Sequence, residues 1–151
     1  MAFRFLNKLA NITPISSNAL ATVEVPRSGT YMAQHFRLLD SSGDPITVAQ
    51  AISEIDNVKV SVNGTDSVDA TPGFLYKLYS YYYGGRNASE LNGMLPVNYA
   101  RDFLASGAEV FGIGMEGVAS FVTEFEMGTL SNLAAIEHRV EKRPVQRPVG
   151  Q

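Results

Sequence analysis

The chain contains no cysteine and no tryptophan among its 151 residues, and it has only two histidines, His35 and His138. The absence of cysteine excludes disulfides, thiol catalysis and zinc sites built from thiolates. No apolar run approaches the ~20 residues that a membrane-spanning helix needs. Polar residues interrupt the N-terminal MAFRFLNKLANI, which therefore lacks the core of a signal peptide. The net charge of −3 gives no indication of a specific nucleic-acid partner.

Sequence motifs of catalysis are also missing. The chain has no G-x-S-x-G elbow, no H-E-x-x-H pair and no P-loop. A Ser/His/Asp relay would have to be built around His35 or His138, and spacing alone does not bring partners to either. We therefore expect no catalytic residues and no enzymatic activity, and a hydrolase is kept only as a third alternative.

What the chain does contain is a series of short segments with β-type alternation. Residues 19–25, 30–40 and 57–62 alternate apolar and polar side chains, and the segments 108–114, 117–127 and 133–142 have strand length. Asn63-Gly64 follows Val58, Val60 and Val62, and it is the strongest short signal for a hairpin. Strands separated by turns at this spacing predict an all-β sandwich.

Two other segments have helical spacing. Ile46, Ala49, Ile52 and Ile55 would form one face of a short helix. After Pro72, a second apolar face is formed by Leu75, Leu78, Tyr79 and Tyr82 before Gly84-Gly85 ends the segment. A strand is the alternative for this segment, since Tyr79, Tyr81 and Tyr83 also alternate. We therefore expect one or two short helical inserts, and residues 86–98 read as irregular.

The glycines of FGIGMEG spell the G-x-G-x-x-G fingerprint of dinucleotide-binding folds. In such a fold the glycines open a helix whose N-terminus holds the pyrophosphate, and further parallel strands follow. Here only about one strand of foldable chain follows Gly128, and residues 119–127 alternate as a strand does. We expect Gly114 and Gly117 to turn the chain at a corner, with no nucleotide bound.

The same stretch resembles a known family. The run Phe111, Ile113, Gly114, Gly117, Val118, Ser120, Phe125, Glu126, Met127 is similar to the late strand pair in the N-terminal jelly roll of corticovirus major capsid proteins. Residues 6–31, 52–64 and 130–140 resemble, in the same order, the arm and first strand, the I-x-N-V-x-V-x-x-(Asp/Asn)-Gly hairpin and the closing strand of that family.

The resemblance implies a jelly-roll (Greek-key) β-sandwich that builds the coat of a tailless, membrane-containing icosahedral phage or provirus. It implies a virion protein, made in the bacterial host cytoplasm, whose main partner is itself in trimeric, pseudo-hexagonal capsomers and a capsid lattice. Contacts with an internal membrane or minor capsid proteins are further expectations. Because the family has two jelly rolls in tandem, we expect residues 1–18 to form an arm, 19–140 the jelly roll, and 141–151 a Pro/Arg-rich tail or linker to a second jelly-roll domain or chain.

Subunit contacts are expected at the appendages of the sandwich. The candidate interface residues are Phe3, Phe5, Leu6, Tyr76, Tyr79, Tyr82, Arg143 and Arg147, and the candidate structural turns are Asn63, Gly64, Gly114 and Gly117. Tyrosines suit interfaces and sugar stacking, so a β-sandwich module that binds carbohydrate or a receptor is the alternative function. The simpler explanations of these residues are that the tyrosines pack within the subunit and that the N-terminal arm is a frayed chain end.

Two pairs of carboxylates are candidate ligands for a metal ion. Glu124 with Glu126, and Asp66 with Asp69, form pairs of a kind that can bind Ca²⁺. No EF-hand spacing accompanies them, so a solvated acidic edge is the favoured explanation. We expect no cofactor, with a structural Ca²⁺ ion as the only metal to consider.

Overall fold

A computed structural model of the chain describes residues 5–82, 92–99, 113–115 and 117–143. These residues form nine β-strands and two α-helices. Their bounds are β1 Phe5–Ile12, β2 Leu20–Glu24, β3 Thr30–Leu39, α1 Val48–Glu54, β4 Ile55–Val62, β5 Thr65–Ala70, α2 Pro72–Tyr82, β6 Met94–Asn98, β7 Ile113–Gly114, β8 Phe121–Met127 and β9 Ala135–Arg143.

The strands form two antiparallel sheets. The first has the order β1-β9-β3-β6, with the short β7 pairing with β3, and the second has the order β2-β8-β4-β5. Apart from β7, the strands pair in a nested way: β1 with β9, β2 with β8, β3 with β6 and β4 with β5. A nested hairpin rolled into two facing sheets is a jelly roll. The predicted fold class is thus confirmed.

The core lies between the sheets, and aromatic side chains of β3 and β8 hold its centre. Phe36 packs edge-on against Phe125 with 4.8 Å between ring centroids, and Tyr31 meets Phe121 in the same way at 5.0 Å. All four rings are completely buried. Fully burying one such side chain is worth about 1.5–3 kcal/mol, so these contacts account for much of the attraction between the sheets.

The Asn63-Gly64 turn is confirmed as the hairpin between β4 and β5. Both residues have positive φ, 52° and 78°, as a two-residue turn of type I′ requires. The Asn63 side chain also forms long-range hydrogen bonds. Its Oδ1 accepts the backbone N–H groups of Ala119 and Ser120 at 2.6 and 3.3 Å. The turn is thereby tied to the segment that leads into β8.

Helix α1 exists, but the face predicted for it is wrong. Its buried residues are Ala51 and Glu54, whereas Ala49 is exposed and Ile52 is 47% exposed. Thr47 caps the helix through a reciprocal capping box with Gln50. Helix α1 therefore begins at Val48, directly after its N-cap Thr47. Hydrogen bonds between Glu54 and residues 131–133 set its orientation.

Helix α2 begins at Pro72, as predicted, because proline lacks the N–H that is unsatisfied in a first helical turn anyway. The prediction that the following segment is irregular is wrong for residues 94–98, which form β6. Pro96 makes this strand hard to detect in the sequence. Proline is accommodated there because, among the described strands, β6 lies at the edge of its sheet and pairs with β3 alone.

The two helices lie at one end of the sandwich, and the first and last described residues lie at the other. Helix α1 follows β3 and helix α2 follows β5, while Phe5 of β1 pairs with Lys142 of β9 at the opposite end. Residues 5–12 and 141–143, expected in the arm and the tail, belong to strands β1 and β9. Neither described helix has the length and apolar character needed to cross a membrane.

Candidate assembly surfaces

Tyr76, the first of the predicted tyrosine contacts, lies inside the subunit. It is 2% exposed and belongs to the main core cluster with Leu75. Burial raises the pKa of its phenol above the usual range, and no described residue forms a hydrogen bond with its hydroxyl. Tyr76 therefore packs α2 onto the sandwich and does not present itself to a neighbouring molecule.

The other predicted tyrosines differ from Tyr76 in position. Tyr79 is half-buried on α2, and Tyr82 is the last residue of that helix. Tyr79 therefore keeps part of its surface available for contact. Its role at an interface remains a prediction, as does that of Tyr82.

Exposed apolar side chains that the sequence interpretation missed lie at the helical end of the molecule. Phe74 is 57% exposed on α2 and Ile52 is 47% exposed on α1. The two helices meet where the Ile52 side chain lies 3.9 Å from the position that a Cβ on Gly73 would occupy. The exposure of Phe74 could have been predicted from the sequence, because Phe74 lies outside the apolar helical face formed by Leu75, Leu78, Tyr79 and Tyr82.

The N-terminal and C-terminal candidates lie around the opposite end. The backbone of Phe5 and Leu6 pairs with Lys142 and Glu141 of β9. Arg143 is the last residue of β9 and pairs with Thr30. Phe3, Arg147 and the RPVQRPVGQ repeat apart from Arg143 lie outside the described residues. The arm is thus a sheet strand from residue 5 onward, and its proposed docking role stays a prediction.

The two histidines face opposite sides of the first sheet. His138 is completely buried and stacks on Phe36 at 4.8 Å, and within the described ranges neither of its ring nitrogens has a hydrogen-bond partner. Burial lowers the pKa of His138 to about 4, so its ring is neutral at physiological pH. His35 points outward, with its Nε2 3.7 Å from Glu141. The described residues thus supply no acid or nucleophile to His138.

Of the acidic residues considered for Ca²⁺, Asp66 and Asp69 have protein partners. Asp66 accepts a hydrogen bond from Ser61 at 2.7 Å and lies 3.8 Å from Lys59. Asp69 accepts one from the Asn57 amide at 2.6 Å. Across the ranges that the structure describes, no three His, Cys, Asp or Glu side chains converge in a metal-binding group.

Gly114 and Gly117 flank a reversal of the chain between β7 and β8. Gly117 has φ of 78°, and the N–H of Val118 donates to the carbonyl of Met115 at 3.2 Å. Gly114 is the second residue of β7 and pairs with Thr30. Strand follows on the far side of the reversal, where a dinucleotide-binding fold requires a helix. Gly112, the first glycine of the fingerprint, lies outside the described residues.

A buried carboxylate fastens the helical end. Glu54, at the end of α1, is 2% exposed and accepts the backbone N–H groups of Ser131, Asn132 and Leu133 at 2.7, 2.7 and 3.1 Å. Desolvation by itself would raise the pKa of this carboxyl. The three backbone donors and the Asn132 amide outweigh it, so the pKa is lowered. This contact fixes α1 against the loop between β8 and β9.

Solved structures with this fold show the same strand arrangement over most of the chain. The major capsid protein P2 of bacteriophage PM2 superposes with a TM-score of 0.67 and 16% identity over 99% of this chain. The PBCV-1 virus capsid protein gives 0.63 and 9% over 94%, and the major capsid protein of STIV gives 0.65 and 15% over 93%. PM2 is a corticovirus, so the neighbours include the family that the sequence resembles.

This similarity establishes the jelly roll and concerns only part of each neighbour. The chain spans about half of their length: 52% of the PM2 protein, 46% of the PBCV-1 protein and 48% of the STIV protein. No protein-family model matches the sequence. No curated protein matches it either.

Proposed function

We propose that this chain is a structural coat subunit of a virus, and that it acts by self-association rather than by chemistry. The observation that supports this most is the nested jelly roll with helices between β3 and β4 and between β5 and β6, which superposes along 93–99% of the chain on three major capsid proteins. A jelly roll alone prescribes no activity. The buried, unpartnered His138 and the paired Asp66 and Asp69 accord with a structural role.

The finer proposal follows the resemblance to the corticovirus family. The subunit would form trimeric, pseudo-hexagonal capsomers and a capsid lattice in the virion of a membrane-containing icosahedral phage or provirus. Its partners would be further copies of itself, a second jelly-roll domain or chain, and at the inner side a membrane or minor capsid proteins. No cofactor and no catalytic residue takes part.

Light scattering on the protein encoded by the whole reading frame tests this proposal. We expect trimers or larger closed species, and we expect Tyr79→Ala combined with Tyr82→Ala to weaken them. Lys77→Ala, on the same helix and exposed, is the matched control and should leave the mass unchanged. A second run of about eight alternating strands after Gln151 would support the tandem architecture.

The carbohydrate-binding alternative makes the opposite prediction. A sugar-binding module would stay monomeric at high concentration and would bind a glycan through Tyr79 and Tyr82. The exposed Phe74 beside Ile52 is the observation that favours it, because exposed aromatic side chains on a helix suit stacking against a sugar. A monomer that binds a glycan, and loses this binding with the tyrosine variant, would overturn the coat proposal.

A further inference from the structure

The outward face of the first sheet carries more cationic groups than carboxylates. Glu137 of β9 lies within 3.4 Å of Lys8 of β1 and of Arg139, and within 3.8 Å of Arg37 of β3. Its side chain is only 14% exposed, whereas those of Lys8 and Arg37 are 56% and 45% exposed. Glu141 of β9 also lies on this face, beside His35. Two carboxylates thus face three cationic groups on three strands, which leaves one positive charge in excess, and the most exposed of these side chains are the cations Lys8 and Arg37.

The outward face of the second sheet has the opposite character. Glu124 and Glu126 of β8 point outward between the buried Thr123, Phe125 and Met127. Within the described part of the chain, neither carboxylate accepts a hydrogen bond or forms an ion pair. Asp66 and Asp69 of β5 add to this face, against the single cation Lys59 of β4. The excess charge here is negative.

These two faces cannot meet within one molecule, because they lie on the two outer sides of the same sandwich. They can meet only between molecules. From this charge complementarity we propose that the outward face of β1-β9-β3-β6 in one copy docks on the outward face of β2-β8-β4-β5 in the next copy. The inference rests on the proposed coat function and names the surfaces and the partner through which it operates.

A contact of this kind is heterologous, since each copy offers a different face to each of its two neighbours. Repetition of a heterologous contact gives a closed ring or an open filament. Exposed ion pairs are individually weak and are screened by salt. Complementary fields nevertheless steer encounter and set the orientation of docking. Association through these faces should therefore depend strongly on ionic strength.

A charge-swap experiment on this chain tests the proposal by sedimentation velocity. One variant carries Lys8→Glu and Arg37→Glu, and the other carries Glu124→Lys and Glu126→Lys. Wild type should associate with rising concentration at low salt, and each variant alone should lose about tenfold or more in association constant. An equimolar mixture of the two variants should regain association, because every contact then joins opposite charges again.

Controls separate this result from unfolding and from a general charge effect. Circular dichroism and the melting temperature should show that both variants fold. Lys77→Glu and Asp44→Lys, at exposed positions on α2 and in the loop before α1, should associate as wild type does. If wild type is monomeric at low salt, or if the mixture fails to regain association, the proposal is overturned. If association persists in both variants and ignores salt, the faces are wrongly assigned, and the coat proposal stands on other contacts.

Discussion

His138 shows how a single side chain can respond to its position in the fold. Its ring lies in the core, stacked on Phe36, and neither nitrogen has a hydrogen-bond partner among the described residues. Burial of an imidazole without a hydrogen bond penalises the charged form, so the pKa falls to about 4. At neutral pH the ring is uncharged, so burial costs the desolvation of neutral polar atoms and not that of a charge.

The first prediction concerns pH. The folded pKa of His138 lies below the ordinary 6.5, so between these values the unfolded chain binds a proton that the folded chain does not. The contribution to stability is complete above pH 6.5 and is lost as the pH falls toward 4. We expect the free energy of unfolding to drop by about 2 kcal/mol from this group between pH 7 and pH 5.

Urea denaturation at both pH values measures this drop. His138→Phe, which keeps an aromatic ring beside Phe36, should remove about 2 kcal/mol of the pH dependence. Ile136→Val, a buried change on the same strand that removes no titrating group, is the matched control, and its pH dependence should stay close to that of wild type. An unchanged slope in His138→Phe would contradict the burial of a neutral histidine.

At the scale of single elements, α1 is held by a contact between residues far apart in sequence. Glu54 accepts three backbone N–H groups of residues 131–133. The substitution Glu54→Gln replaces this charged acceptor with a neutral amide at a position that is almost completely buried. We expect a loss of about 2–3 kcal/mol in the free energy of unfolding.

Thermal and urea denaturation should show this loss for Glu54→Gln and not for Glu124→Gln. The second variant is the control, because Glu124 has no hydrogen-bond partner among the residues described. Equal stability of the two variants would mean that the loop between β8 and β9 does not depend on the carboxylate.

The corner at Gly117 gives a second prediction at this scale. A Cβ there would meet nothing within 4 Å, so only the φ of 78° opposes a side chain. Gly117→Val should cost about 1–2 kcal/mol through the left-handed conformation. Gly117→Asn should cost less, since asparagine tolerates positive φ. Melting curves check this, and adding NAD or ATP should raise the melting temperature of neither wild type nor variant.

Elements with local signals could be predicted from the sequence. The β4–β5 hairpin follows from valine alternation and Asn63-Gly64, and α2 follows from Pro72 and its apolar spacing. The elements that were missed depend on distant partners. The face of α1 is set by residues 131–133, β6 is an edge strand with Pro96, and the polar β1 is stabilised by its pairing with β9. Such pairings leave little trace in a short window of sequence.

The candidate surfaces show the same difference between local sequence signals, which allow prediction, and contacts between distant residues, which do not. Strand alternation predicts that Glu124 and Glu126 share a face, because that pattern is local. It does not predict that Lys8, Arg37 and Arg139 gather around Glu137, since their strands come from three separate parts of the chain. Nor does helical spacing reveal that Tyr76 turns inward, because the sandwich determines which side of α2 is covered.

For the whole molecule, β9 is the strand on which the first sheet depends. It lies between β1 and β3 and pairs with both along its length. A chain that stops after Ala134 leaves both neighbours without their shared partner and exposes the core residues Phe36 and Leu38. We expect it to melt without a cooperative transition or to precipitate. A chain that stops after Arg143 keeps every described strand and should melt cooperatively, and similar calorimetric melts for the two would refute this.

The nested strand pairing also determines when this sandwich can complete its fold during synthesis. The β4–β5 hairpin can close as soon as it leaves the ribosome, whereas β1 and β2 must wait for β9 and β8, which come much later in the chain. Strand β3 can pair with β6 earlier, but its other edge also waits for β9. Until then backbone edges and apolar faces of these strands are open, and loops that span most of the chain have still to close. The sandwich is therefore completed only after β9 has left the ribosome. Surfaces built on the first sheet cannot recognise a neighbour before that point, which separates the synthesis of this part of the chain from its association.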